Sequence, residues 1–343
     1  MKHLLNTLYV TTQGAYLARE GDTVLVRVER ETKLRLPIHT LGGIICFGRV
    51  SCSPVLMGLC GKSNVPISFL TERGRFLARV EGPVSGNVLL RREQYRRADD
   101  IEFSAAVARA IVSAKIANCR NVLLRAAREH TDEKCVQALD KASDYLARLL
   151  DDLKRPLGLD TARGIEGDAA KTYFGVFDHL IVSQREDFYF LQRSRRPPLD
   201  KMNALLSFIY TLLTIDVASA LEAVGLDPAV GYLHRERPGR SSLALDLVEE
   251  LRPYIADRLA LTLVNRQQVQ GKGFTQSETG AVTMDDATRK EVLVAYQKRK
   301  QEEITHPFLG ETIAVGLLPH VQAMLLARFL RGDLDGYPAF FWK

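Results

Sequence analysis

A chain of 343 residues, 46% hydrophobic, 8% aromatic and 26% charged, is long enough for two domains with filled cores, and its composition excludes the disordered and fibrous classes. A formal charge of +6, from 47 Lys and Arg against 41 Asp and Glu, permits a polyanionic partner without requiring one. Cys46, Cys52, Cys60, Cys119 and Cys135 are odd in number and form no C-x-x-C pair, which argues against a disulfide framework or a zinc-finger ligand set and fits a reduced, cytoplasmic protein.

In chain order, Met1 to Tyr9 lacks an apolar stretch long enough for a signal peptide, so no export is expected. Residues 1–85 read as β-rich: Leu4 to Val10, Tyr16 to Arg19, Thr23 to Val28, Ile44 to Phe47, Ile67 to Leu70 and Phe76 to Val80 are short runs between Gly-containing turns, with Glu20-Gly21-Asp22 as a hairpin connection. One helix interrupts them, with Ser53 as N-cap, Pro54 at the first helical position and Gly61 able to end it. This region holds 11 Lys and Arg against 6 Asp and Glu, so most of the basic excess lies here.

From residue 86 the strand pattern gives way to helical periodicity, at about 87–97, 101–130, 134–154, 162–182, 200–225, 242–264, 285–303 and 311–331. The expected fold class is α+β, an N-terminal β-domain over 1–85 and an all-α domain over 86–343. Leu205 to Leu226 is long enough to cross a bilayer, but Asp216 and Glu222 mark it as a buried core helix, so no membrane association is expected. Turn-rich loops fall at Ser194 to Pro198 and Arg237 to Ser241, and a flexible loop at Gly271 to Gly280. The C-terminal Tyr337-Pro338-Ala339-Phe340-Phe341-Trp342 is too aromatic to fray and is expected to dock on its own helical domain or a neighbouring subunit.

Gly61-Lys62-Ser63 resembles the end of a P-loop, but Leu56 stands where that motif needs glycine, and the zincin, α/β-hydrolase and Rossmann signatures do not occur. Two other segments carry chemistry. In Gly164-Ile165-Glu166-Gly167, on a helix that Thr161 would cap, two glycines cost roughly 1 kcal/mol each against alanine, so a close backbone approach is expected beside Glu166. Gly231-Tyr232-Leu233-His234 precedes a helix capped near Ser242, whose apolar stripe of Leu243, Leu247 and Leu251 leaves Asp246 and Glu249 about 60° apart. Glu250 lies about 40° from Asp246, so helical geometry does not choose between Glu249 and Glu250.

Taken singly, each feature also describes a solvated helix face or a surface charge. Together, one imidazole and two or three carboxylates form a donor set for Mg²⁺ or Mn²⁺ rather than zinc. An ion so held polarises a phosphodiester, and the flanking Arg193, Arg195, Arg196, Arg235, Arg237 and Arg240 offer countercharge to a polyanionic substrate. Lys171 and Tyr173 lie on the Glu166 helix, Tyr173 suited to packing.

The ordered set of motifs resembles the CRISPR-associated adaptation integrases, the "Cas one" proteins, and is most similar to their type I-C branch over nearly the whole chain. The resemblance is carried by Gly164 to Gly167, by Arg193-Ser194-Arg195-Arg196-Pro197-Pro198 and its continuation to Phe208, by Gly231 to His234 and by Ser242 to Glu249. Asn265-Arg266 and Phe274 add a weaker match. It implies a dimerising N-terminal β-domain, a helical catalytic domain, a homodimer and a small "Cas two" partner in a hetero-oligomeric complex. It also implies Glu166, His234 and Glu249 as ligands of Mg²⁺ or Mn²⁺, with Asp246 as a further acidic catalytic residue. Many relatives carry Asp where this chain has Glu249.

The implied activity is that of a metal-dependent DNA endonuclease and integrase of spacer acquisition. A 3′-hydroxyl of a double-stranded spacer precursor attacks a phosphodiester of the CRISPR array by transesterification. The alternatives are a non-catalytic DNA-binding scaffold dimer and a hydrolase of small phosphoesters, the latter a poor match to the extended arginine loops.

Overall fold

Ile44 and Cys46 face one way and Ile45 and Phe47 the other, as the two-residue period of a strand requires, and all four are buried. The two faces meet different cores, which is how the N-terminal region joins the rest of the chain. The computed structural model describes residues 5–82 and 88–342. The N-terminal elements are β1 (Asn6–Val10), β2 (Tyr16–Glu20), β3 (Thr23–Val28), β4 (Glu31–Pro37), β5 (Leu41–Phe47), β6 (Ser51–Cys52), α1 (Pro54–Lys62), β7 (Ile67–Leu70) and β8 (Phe76–Val80).

They form two four-stranded sheets, ordered β1-β5-β7-β8 and β4-β3-β2-β6. In the first, β1, β5 and β7 are parallel and β8 antiparallel; in the second, β6 pairs parallel with β2. Ile44 and Cys46 join Val10, Leu17, Val24, Leu56 and Ile67 in a core common to both sheets and α1. Ile45 and Phe47 belong instead to the core of the helical half, where the Phe47 ring lies 5.8 Å from that of Phe208. The expected boundary at 85/86 falls among residues 83–87, outside the described residues.

The expected strands, the Gly21-Asp22 hairpin and the Ser53 cap, whose side chain accepts from the Leu56 N–H, are all present. β4 and β6 are additions to the expected strands. β4 is an almost wholly exposed, charged edge strand in which Leu34 and Leu36 alternate with Lys33 and Arg35, and β6 has only two residues.

The second half runs α2 (Val88–Asp99), α3 (Ile101–Glu129), α4 (Glu133–Asp152), α5 (Leu159–Gly175), α6 (Lys201–Val224), α7 (Ser242–Arg252), a π-helical turn (Pro253–Asp257), α8 (Arg258–Asn265), β9 (Phe274–Gln276), β10 (Val282–Met284), α9 (Asp286–Gln301), β11 (Glu303–Thr305), β12 (Thr312–Ala314) and α10 (Leu318–Leu330). α3 packs on α4, α5 and α7, and α6 on α7 and α10. By length and composition α6 is apolar enough to cross a membrane, yet its apolar window is 67% buried inside the protein, as expected of a core helix.

Four expectations are corrected here. The helical half contains two small ribbons, β9–β10 and β11–β12, whose three-residue strands are too short to register as periodic; the first replaces most of the expected flexible loop. The helix expected at 311–331 begins only at Leu318. α5 starts at Leu159 after Gly158, without a side-chain cap from Thr161. The helix expected at 242–264 is interrupted because Pro253 has no N–H to offer the Glu249 carbonyl, and a π turn absorbs the mismatch.

Candidate functional site

α3, α5 and α7 each send one charged side chain to a common point. Lys115 is the single charged residue between Arg109 and Arg120 and is 1% exposed. Its Nζ donates to Oε1 of Glu166 on α5 and lies 2.6 Å from Oε2 of Glu249 on α7. One turn along α7, Arg252 lies 3.1 and 3.0 Å from the two Glu249 oxygens. Burial would push the Glu249 carboxyl up, but Arg252, Lys115 and His234 outweigh it and hold it well below the usual carboxylate range.

His234 enters from the loop before α7. Asp246, fully buried on α7, accepts the backbone N–H groups of Tyr232 (2.6 Å), Leu233 (2.9 Å) and His234 (2.9 Å). Its Oδ1 also lies 2.7 Å from His234 Nδ1. An ionised carboxylate only accepts, so in the neutral ring Nδ1 carries the hydrogen and Nε2 presents its lone pair. Nε2 lies 4.0 Å from Glu249 Oε1. Asp246 is thus the positioning residue of the His234 loop.

The close backbone approach expected at Gly164 and Gly167 is not there: a Cβ at either would meet nothing within 4 Å. It occurs at Gly231, where a Cβ would lie 2.8 Å from Asp246 Oδ2 and 2.8 Å from the Ser242 carbonyl carbon. Arg163 on α5 donates Nε to the Leu233 carbonyl at 2.6 Å, tying the Glu166 helix to the His234 loop.

The structure also separates Glu249 from Glu250. Glu249 faces Lys115, while Glu250 turns to the C-terminal segment, accepting from Tyr337 and Phe340. Behind Arg252, the carboxylate of Asp257 accepts from the Tyr173 and Tyr210 hydroxyls; Tyr173 is therefore a buried packing residue and Lys171 an exposed one.

As the side chains stand, no group of three His, Cys, Asp or Glu among the described residues is spaced to hold a metal ion. The cation between Glu166 and Glu249 is the Lys115 ammonium. The donor set nonetheless suits a hard divalent ion: two carboxylates from separate helices, and an imidazole whose Nδ1 rests on a buried carboxylate in the manner of metal-binding histidines. The 4.0 Å between His234 Nε2 and Glu249 Oε1 is within the span of two bonds of about 2.1 Å to one ion. Loading requires Lys115 to yield at least one carboxylate.

The six arginines differ in availability. Arg195, Arg196, Arg235 and Arg237 are exposed and Arg240 half-buried, with Arg235 3.4 Å from Asp160. Arg193 is built into the fold, donating to the Ser194 carbonyl and Asn203 Oδ1, both at 2.6 Å, and to Ser207 at 3.1 Å.

The family model for CRISPR associated protein Cas1 matches residues 8–298. The chain belongs to the Cas1 family. A Cas1 relative from Chlorobaculum tepidum, named CRISPR-associated endonuclease Cas1 1, is 56% identical over 343 residues and the match covers 100% of both chains. The structure of a Cas1 protein from Thermotoga maritima, 25% identical, superposes with a TM-score of 0.82 over 97% of this chain and 99% of that one. A casposase bound to integration product shares the fold at 21% identity, with a TM-score of 0.83 over 99% and 95% of the two chains.

Within this Cas1-family site, Lys115, Arg163 and Arg252 escape sequence reasoning. Only Lys115 leaves a signal, as an isolated charge in the apolar run Ala110 to Cys119; the others look like ordinary helix-surface arginines until their partners are in place.

Proposed function

We propose that the chain is a divalent-metal-dependent DNA endonuclease and integrase of CRISPR adaptation, of the type I-C branch, acting in the cytoplasm. The observation that carries the reading is the convergence of Glu166 and Glu249 on one buried point, with His234 Nε2 beside them. Glu166, Glu249 and His234 would hold Mg²⁺ or Mn²⁺, which supplies charge stabilisation at the phosphate undergoing transesterification. Asp246 keeps the His234 Nε2 lone pair aimed at the site. Lys115 and Arg252 keep Glu249 ionised. The exposed Arg195, Arg196, Arg235 and Arg237, with the half-buried Arg240, bind the phosphates of the spacer precursor and the array, fixing register without reading sequence. The basic β-domain serves dimerisation, and a small "Cas two" subunit completes the complex, as the family resemblance implies.

One observation favours a second reading. Lys115 already pairs with both carboxylates, as it would in a non-catalytic DNA-binding scaffold whose acidic cluster serves only the fold. The test is joining of DNA 3′ ends to a supercoiled array plasmid by the purified chain with its partner. Joining that needs Mn²⁺ or Mg²⁺ and is lost in His234→Ala supports the enzyme; DNA binding with no joining under any metal supports the scaffold.

A further inference from the structure

One turn along α3 from Lys115, and at the residue after Glu249 on α7, the segment Tyr337–Trp342 is locked to both helices. The Tyr337 hydroxyl donates to Glu250 Oε1 at 2.5 Å and the Phe340 N–H to Oε2 at 2.7 Å. Gln322 Nε2 reaches both Glu250 oxygens, at 3.2 and 3.3 Å. Asn118 spans the junction: Nδ2 donates to the carbonyls of Glu250 and Phe340, both at 2.8 Å, and Oδ1 accepts the Trp342 N–H at 2.7 Å. Asn121 holds the Trp342 carbonyl, and the Arg258 guanidinium covers the Trp342 ring at 4.4 Å.

The anchors are close in sequence to the site. Asn118 is one helical turn beyond Lys115 on α3, and Glu250 follows Glu249 on α7. Apolar packing between two helices tolerates sliding, whereas directed hydrogen bonds fix their register. Undocking the segment would take the Tyr337 and Phe340 donors from Glu250 and two partners from Asn118, removing the bridges that the segment makes between α7 and α3.

We propose that Tyr337–Trp342 is a positioning strap for the active site, which by clamping α7 to α3 one turn along from Lys115 sets the separation of Glu249 from Lys115. The inference rests on the strand-transfer reading above and adds residues that touch neither DNA nor metal. A displacement of about 1 Å at a reacting group costs about a hundredfold in rate, so small movements of α7 suffice.

The test uses full-length Tyr337→Phe, which keeps the ring and removes its hydroxyl, and a chain lacking residues 335–343. Single-turnover DNA joining, DNA affinity, circular dichroism and amide hydrogen exchange of α7 are measured on each, and a synthetic peptide of residues 335–342 is added to the truncated chain. Expected are a joining rate about tenfold lower in Tyr337→Phe and lower still in the truncated chain, DNA affinity near that of the parent, faster exchange in α7, and recovery of rate with the peptide. A folded variant that joins at the parental rate, or one whose DNA affinity falls in step with its rate, overturns the proposal. If the truncated chain does not fold, Tyr337→Phe decides. If the parent chain joins no DNA, the strand-transfer reading fails instead, and unchanged α7 exchange in Tyr337→Phe would then independently overturn the strap.

Discussion

Glu249 and Glu250 are adjacent in the chain, both buried, and held at opposite ends of the carboxylate range. The difference is countercharge. Burial raises both; Glu249 also has Arg252, Lys115 and His234, and is driven well down. Glu250 has only the neutral donors of Tyr337, Phe340 and Gln322, which do not overcome burial, and it is pushed up to about 7. One helix thus presents an ionised ligand to the site and a proton-binding anchor to the C-terminal segment.

That anchor makes stability pH-dependent. Glu250 titrates at about 7 when folded, above the ordinary glutamate value of 4.5, so between these values the folded chain binds a proton that the unfolded chain has released. Its contribution is complete below about 4.5 and is lost as pH rises through about 7. Glu222, pushed up to about 8 by burial against the opposing effect of Arg79, adds to the same fall. Melting temperature should therefore decline from about pH 5 to about 8, and Glu250→Gln should make the decline shallower; an identical slope in that variant would remove Glu250 from the explanation.

Replacing Lys115 by methionine leaves Glu166 and Glu249 facing each other without their shared cation. The metal-free variant should lose about 3 kcal/mol of stability. Its affinity for Mn²⁺ should increase, with a larger metal-induced rise in melting temperature than in the parent chain, because no ammonium competes for the carboxylates. Titration calorimetry giving equal affinities for the two chains would show that Lys115 does not compete with the ion.

Each Asp246 oxygen accepts two of four donors, and Asp246→Asn replaces one oxygen by an NH₂, leaving two of them facing a donor. The variant should be less stable by about 1–3 kcal/mol. Without a carboxylate beside Nδ1 to orient the ring, the joining rate should fall while DNA affinity is kept. Parental kinetics in a folded Asp246→Asn chain would contradict the positioning role.

The arginines should separate into two groups. Arg193→Ala removes bonds to Ser194, Asn203 and Ser207 and should lower the melting temperature. Arg195→Ala and Arg196→Ala, at exposed positions, should leave it unchanged and weaken DNA binding. Each should also reduce the salt slope by about 0.9 for every phosphate its guanidinium neutralises. A salt slope identical to the parent's would exclude those two side chains from the DNA path.

The sequence makes the architecture legible where local patterns decide it: six of the strands, the Ser53 cap, α6 and the order of the helices all follow from periodicity and punctuation. It is opaque where long-range pairing decides. β4 alternates Leu34 and Leu36 with Lys33 and Arg35 but is almost wholly exposed and charged at the sheet edge, and the ribbons at 274–284 and 303–314 are held by partners that no three-residue window reveals. The acidic and histidine positions of the site are legible through their spacing and the family motifs. Lys115 is not, because a buried lysine has meaning only once two carboxylates from other helices are seen around it. Gly164 and Gly167 mislead because a helix alone does not show which glycine is crowded.

The most direct test is Mn²⁺ binding measured by calorimetry and electron paramagnetic resonance on the parent chain and on Glu166→Gln, His234→Ala and Glu249→Gln, with circular dichroism confirming that each is folded. One ion per chain, absent or greatly weakened in all three variants, is the expected result. Undiminished binding in any folded variant of the three would show that these side chains do not share an ion.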